Sequence, residues 1–403
     1  MTTTYTGPIF DGDSHIIEPL DCEAWNHYLP AEFKPKWSYR WAKDPDGKFV
    51  MYAGPHRVDV TADFYSNEGQ NVPPPGKLHE WLRSMKEGKE NVDMRVPMTA
   101  PMTERTARLQ LLDEFGVEGS LLFPGNHVGT IGYLAGDVEA MYAVNHSYNR
   151  WFSENWGFNY KNRIFATPLI ALDDLEKACA EAQWAIKEGA RVILMPLGAV
   201  NNMSPADPAF DRFWSILNEA RVNVSFHVSE AAYMHTHMRV WGDKPLQSRY
   251  WQTAFTWMHF YGERPLVETL SSFIFYNFFA RFPNIKLISV ENGCEWVPQF
   301  LVKMDKCRGM AKAGYWPCGQ LKERPSRIFK QNVFVVAYPE DNLKMITELA
   351  GGYEFLMMGS DWPHAEGVET PRSFIKEACA SLSEAQVQGI MYENGRRFLP
   401  VAA

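Results

Sequence analysis

From residue 103 onward the chain alternates amphipathic stretches with short apolar runs. Helical spacing over 103–112 leads into an apolar run at 117–123, and helical 137–156 precedes the strand-like RIFATPLI at 163–170. The same order recurs at 173–188 with RVILMPLG at 191–198, and at 208–220 with VNVSFHV at 222–228. Three further strands are predicted, IKLISVENG at 285–293, NVFVVAY at 332–338 and EFLMMGSDWPH at 354–364, and helices from 371 to 398 close the chain. A stretch at 266–282, apolar nearly all round, predicts a single long helix buried in the barrel wall or in a subunit interface. With FDGDSHIIEP at 10–19 as the first strand, these are about eight β-then-α units, the pattern of an α/β (β/α)8 barrel. A doubly wound open sheet would want a glycine-rich phosphate loop after its first strand, and DGDSH does not supply one.

Two stretches break the rhythm. Residues 20–102 show little periodicity and many breakers, including a PPP run at 73–75, and read as a cap or arm inserted in the first βα loop. Residues 229–261 form a long, aromatic fifth βα loop that reads as an active-site lid. Together with the first insertion it would keep water from the barrel mouth and shape an apolar pocket. The whole chain, 1–403, is expected to form one barrel domain.

Composition agrees with a large buried core: 46% of the 403 residues are hydrophobic and 14% aromatic. A net charge of −8 without a long basic run argues against nucleic acid or an anionic membrane as partner. The first residues, MTTTYTGPIF, have neither a basic nor an apolar segment of the secretory kind, so a cytoplasmic location is expected. Six cysteines without a C-x-x-C pair suit a reducing compartment, and Cys294 alone stands close to a candidate site residue.

The chemistry is concentrated at strand ends. Asp13 and His15, two apart on a strand, aim a carboxylate and an imidazole at one point, with Glu18 just beyond. His227 ends VNVSF, Glu291 follows KLISV and Asp361 follows FLMMGS. In a barrel these positions share the C-terminal face, where such enzymes place their sites.

DGDSHIIEP, SFHVSE, SVENGCEW and GSDWPH, in this order, resemble the amidohydrolase superfamily, in particular its non-oxidative aromatic decarboxylases and related metal-dependent hydrolases. The resemblance implies metal ligands at Asp13 and His15 on the first strand, His227 on the fifth, Glu291 on the sixth and Asp361 on the eighth. It departs from the family pattern in three places: D-x-H stands for H-x-H, a glutamate replaces the sixth-strand histidine, and RVILMPLG has no lysine to bridge two metals.

Oxygen donors have thus replaced nitrogen ones. If Glu18 also binds, Asp13, Glu18, Glu291 and Asp361 bring four negative charges that two divalent ions balance and one does not. Two histidines with four carboxylates resemble the ligand set of di-iron and di-manganese proteins, so Fe or mixed Mn/Fe is the expected metal, with a single Zn or Mn as the alternative. That ligand set resembles a small superfamily branch that uses O2 to hydroxylate a small organic acid, with Glu291 bridging. The rival readings are a redox-neutral hydrolase or decarboxylase, with Asp361 handling a proton, and a non-catalytic partner subunit of a hetero-oligomer. A homo- or hetero-oligomer is the family expectation. His364 is a further candidate for the metal or the substrate. His127, His235, His237 and His259, and Arg239 and Arg264 for an acidic substrate, are weaker candidates.

Overall fold

Eight short parallel strands lie side by side among the residues that the computed structural model describes, namely 5–45, 47–58, 66, 68–87, 94–228, 240–242, 253–255, 258 and 263–400. They are β1 (Ile9–Asp11), β2 (Val117–Leu122), β3 (Ile164–Ala166), β4 (Val192–Leu194), β5 (Asn223–His227), β6 (Leu287–Val290), β7 (Val333–Ala337) and β8 (Leu356–Met358). Strands β1 to β3 pair in sequence, as do β4 to β8. Two parallel bridges join the arcs, Leu169 with Leu194 and Ser14 with Trp362, and close a (β/α)8 barrel.

Period-two alternation explains why these segments are strands. Phe10, Leu121, Phe165, Val192, Leu194, Ile288, Val290, Phe334, Val336 and Met357 form one buried cluster inside the barrel, with Phe398 and Leu399 joining it. Their neighbours Ile9, Leu122, Ile193, Leu287, Val335 and Leu356 belong to the cluster between strands and helices. On β5 the pattern inverts usefully: Val224 and Phe226 take the helix side, leaving Asn223, Ser225 and His227 for the other face.

The helices start where short polar side chains cap them. Asp137 accepts from Ala140 N–H ahead of Val138–Asn155, and Asp174 from Lys177 N–H ahead of Leu175–Lys187. The long helix expected at 266–282 is two pieces, Glu263–Phe275 and Phe278–Arg281, because Asn277 adopts the left-handed conformation (φ 52°) that ends a helix. Leu266, Leu270, Phe273 and Ile274 bury one side of the first piece, while Arg264 and Glu268 pair on its exposed side.

Residues 20–102 carry a three-stranded antiparallel sheet, Tyr39–Lys43 with Phe49–Ala53 and His56–Arg57, and bury Trp25 and Trp37. This insertion is tied to the barrel mouth by backbone bonds. Gly76 N–H donates to His364 O (3.2 Å), Leu78 N–H to Ala365 O (2.9 Å) and Ile17 N–H to Met102 O (3.0 Å). The 229–261 loop lies mostly outside the described residues. His235, His237, Arg239 and His259 lie outside the described residues. No helix among the described residues is long and apolar enough to cross a membrane.

Candidate metal centre

The seam where the first and last strands meet sets up the site. Asp361 and Ser360 N–H donate to Asp13 O (2.9 and 3.1 Å), and His15 N–H donates to Trp362 O (2.8 Å). Asp11, 2% exposed, accepts from the Ser360 N–H (2.9 Å), the Ser360 hydroxyl (2.5 Å) and the Asp13 N–H (3.2 Å). A Cβ at Gly359 would stand 2.4 Å from Val336 Cγ1 and 2.6 Å from Asp13 Cβ, so only glycine lets β8 come this close to β1. On the outside, Arg108 donates to His15 O (2.6 Å) and Pro101 O (2.8 Å) and lies 4.3 Å over the Trp362 ring.

Two of the candidate residues sit on strained backbone. Glu291 (φ 55°) and Asp361 (φ 52°) are left-handed without being glycine, a conformation that costs about 1 kcal/mol or more and that functional sites retain. The Tyr338 hydroxyl donates to Glu291 O (2.7 Å) and steadies that turn. Asp341 accepts from Tyr338 N–H and Cys294 N–H, both at 2.8 Å, which fixes the loop beyond.

Side chains from four strand ends converge. One ligand atom each from Asp13, His15, His227 and Glu291 lies within 4.8 Å of the others, and so do those of His15, Asp361 and His364. His15 Nε2 is 3.3 Å from Asp13 Oδ1 and 3.5 Å from Asp361 Oδ1, and His227 Nε2 is 3.3 Å from Glu291 Oε2. Each imidazole turns its Nδ1 to a backbone carbonyl, His15 to Pro124 O (3.2 Å) and His227 to Val228 O (2.8 Å). With both rings neutral, Nδ1 carries the proton and the two Nε2 lone pairs face each other at 3.1 Å. Two lone pairs cannot satisfy one another. A cation between them, ringed by carboxylates, can.

The electrostatics point the same way. Burial and the neighbouring His364 push His15 down to about 3. Burial opposes protonation of His227 too, yet Asp13 and Glu291 draw its pKa up. Burial and the Asp361 charge push Glu291 well above the usual carboxylate range, whereas Asp13, despite its burial, is held below that range by the two imidazoles. So many acids this close ionise together only against a countercharge, and the donor set fits a divalent ion.

The six expected ligands do not all meet. Asp13, His15, His227, Glu291 and Asp361 come together, and His364 joins them, its Nδ1 2.8 Å from Asp361 Oδ1 and its ring 4.2 Å from that of His15. Glu18 belongs to none of the donor groups among the described residues. Its buried Oε1 accepts from His127 N–H (3.3 Å) and the Tyr148 hydroxyl (3.1 Å) because HIIEP carries it past the mouth into the loop after β2. His127 is likewise buried, stacked on Tyr148 at 3.9 Å. Cys294 is fully buried, and burial pushes its thiol well up. Glu366 was not foreseen: it groups with Glu291 and Asp361, and a lone glutamate five residues past Asp361 carries no sequence signal. Asp11, Arg108 and Tyr338, which brace the backbone around the candidate ligands, were equally silent.

Residues 92–401 match the amidohydrolase family, a span that leaves out the first strand and nearly all of the cap. An amidohydrolase from Mycobacterium avium subsp. paratuberculosis K-10 shares 26% identity and a TM-score of 0.80 over 99% of this chain and 100% of its own. The 5-carboxyvanillate decarboxylase LigW from Sphingomonas paucimobilis shares 17% identity, a TM-score of 0.58 and coverage of 98% and 99%. A dihydroxybenzoic acid decarboxylase from Polaromonas sp. JS666, solved with manganese and 2-nitroresorcinol, shares 15% identity and a TM-score of 0.53 over 78% of this chain and 92% of its own. No curated protein matches the sequence.

Proposed function

The chain belongs to the amidohydrolase family of metal-dependent enzymes, and from that membership we propose that it cleaves a small organic acid without redox change, by non-oxidative decarboxylation or, alternatively, by hydrolysis. The observation that carries this reading is a pair of donor groups that share His15, one with Asp13, His227 and Glu291 and one with Asp361 and His364, with the Nε2 atoms of His15 and His227 3.1 Å apart. Asp13, His15, His227 and Glu291 would hold one divalent ion, Mn or Zn, with Asp361 beside it. The bound ion supplies positive charge that grips a substrate carboxylate and offsets negative charge developing at the reacting carbon.

This chain's residues would do the rest. Beside the Asp361 carboxylate His364 would act as the imidazolium, Nδ1–H held by Asp361 and Nε2–H the proton it hands over, leaving neutral His364 to be reprotonated from solvent. In decarboxylation the C–C bond breaks, its electron pair stays on the substrate carbon, CO2 leaves, and the His364 proton goes to that carbon. Residues 20–102, as cap, and 229–261, as lid, would exclude water within a single functional unit. Two of the fold neighbours, both decarboxylases of aromatic acids, support decarboxylation over hydrolysis.

A second reading is favoured by one observation, the all-carboxylate group Glu291, Asp361 and Glu366, which shares two residues with the first set. Four carboxylates would again balance two divalent ions, now with Glu366 in place of Glu18, and iron or Mn/Fe with O2-dependent hydroxylation would follow. Metal analysis with anaerobic assay of hydroxylated aromatic acids separates the two. The first reading expects about one Mn or Zn per chain and one CO2 released per acid without O2. Two Fe, or Fe plus Mn, with O2 consumed per turnover would overturn it in favour of the second.

A further inference from the structure

We infer that Glu18 is a positioning residue for His15: its carboxylate pins the loop after β2, and that loop's Pro124 carbonyl sets the tautomer and direction of the His15 ring. The consequence for metal affinity rests on the metal-site reading above, while the orientation of the ring does not.

Glu18 and His15 grip one short segment from two sides. His15 Nδ1 donates to Pro124 O at 3.2 Å. Three residues on, Glu18 Oε1 accepts from His127 N–H (3.3 Å), and the Asn126 N–H also bonds to this carboxylate. Between them lies Gly125, where an added Cβ would stand 2.5 Å from Glu18 Oε2. The segment is thus clamped between a carboxylate and an imidazole, and glycine at 125 is what lets the clamp close. On the strand side, Phe123 N–H donates to Ser14 O (2.8 Å) and Ile16 N–H to Phe123 O (3.4 Å), so the Pro124 carbonyl can move only if the Glu18 end is released.

The surroundings make Glu18 costly to keep unless it does something. It is 1% exposed, and burial raises its pKa despite those N–H donors and the Tyr148 hydroxyl. Tyr148 is itself held by the stacked His127 ring and by Trp25 at 5.7 Å. Oε1 is taken up by the loop, and among the described residues Glu18 shares no donor group with His15, while Oε2 is buried beside Gly125 without a hydrogen-bond partner, so a direct ligand role is the rival that X-ray absorption tests. A ring nitrogen opposite a metal keeps its direction through the partner of its other nitrogen, and loss of such a partner weakens metal binding about 10- to 100-fold.

The experiment uses the full chain, labelled with 15N-histidine and freed of metal. Long-range 1H–15N correlations, assigned with His15→Gln, read the His15 tautomer, and Mn2+ titration reads affinity. Wild type is expected to show a single Nδ1–H form at His15. Glu18→Ala should give a mixed tautomer and Mn2+ binding weakened about 10- to 100-fold, and Glu18→Gln, whose amide oxygen still accepts from the loop, should stay within about threefold. Gly125→Ala, which displaces the carboxylate while leaving Glu18 present, should reproduce the alanine result and stands in for it if Glu18→Ala does not fold. A wild-type His15 tautomer and wild-type Mn2+ affinity in Glu18→Ala or Gly125→Ala would overturn the inference. So would loss of one oxygen ligand from the X-ray absorption spectrum of Mn2+-loaded Glu18→Gln, which would make Glu18 a direct ligand. If wild type binds no Mn2+ but the tautomer still shifts in the variants, the metal reading fails and the positioning role stands.

Discussion

His15 Nε2 and His227 Nε2 face each other at 3.1 Å, each ring held by a carbonyl at its other nitrogen. Without a cation that contact is a repulsion, relieved only by protonating one ring beside the carboxylates. With a cation it becomes half of a coordination shell. Divalent metal should therefore stabilise the fold by mass action, about 2.7 kcal/mol at a hundredfold excess over Kd. Thermal unfolding with Mn2+ and with chelator checks this. The expected result is a Tm that rises with Mn2+ in wild type and stays fixed in His227→Leu.

Gly359 couples the fold to that shell. An alanine there would force its Cβ into Val336 and into Asp13 itself, at 2.4 and 2.6 Å. The strands must part or the Asp13 side chain must swing, and overpacking of this kind costs about 1–3 kcal/mol. Gly359→Ala should lower the unfolding free energy in urea by that amount and weaken Mn2+ binding as well. Stability lost with metal affinity intact would show the seam to be structural only.

Much of this was legible in the sequence, for identifiable reasons. Strand ends announce themselves when an apolar run of period two stops at a charge, which is how His227, Glu291 and Asp361 were found. The direction of Glu18 is not legible because a residue beyond the strand end has no period to fix it, and only the loop after β2, more than a hundred positions away, decides where it goes. Glu366 has the same difficulty in reverse, lying past a turn whose path depends on the cap bonded to His364 and Ala365. The broken helix at Asn277 turned on one left-handed residue within an apolar stretch that hid it. Arg108 was invisible because its partners are backbone carbonyls, which sequence does not display.

His127 should set part of the acid sensitivity of the fold. Buried, neutral and stacked on Tyr148, it has a pKa pushed down to about 3 by burial, against about 6.5 in the unfolded chain. The unfolded state thus binds more protons between those values, so stability rises with pH across that window and is lost as pH falls from about 6.5 towards 3. One such proton is worth at most about 1.4 kcal/mol per pH unit. Between pH 7 and pH 5 wild type should lose about 2 kcal/mol more than His127→Gln, measured by urea unfolding with chelator present. Equal losses would mean that His127 is not the group responsible.

Arg108 tests whether the ligand loop is held from behind. Its guanidinium reaches His15 O and Pro101 O with two nitrogens and covers the Trp362 ring, so one side chain braces residues next to both Asp13 and Asp361. Burial lowers its pKa to about 9 while the Asp11 charge draws it back up, so it stays charged at neutral pH. Lysine has the charge without the fork and cannot serve both carbonyls and the ring. Arg108→Lys should therefore behave as a lost buried partner, costing about 2–4 kcal/mol in urea unfolding, and should weaken Mn2+ binding while leaving the metal count per chain unchanged. Lysine as good as arginine on both measures would mean that a buried positive charge beside Asp11 is enough and that the two-carbonyl brace is incidental.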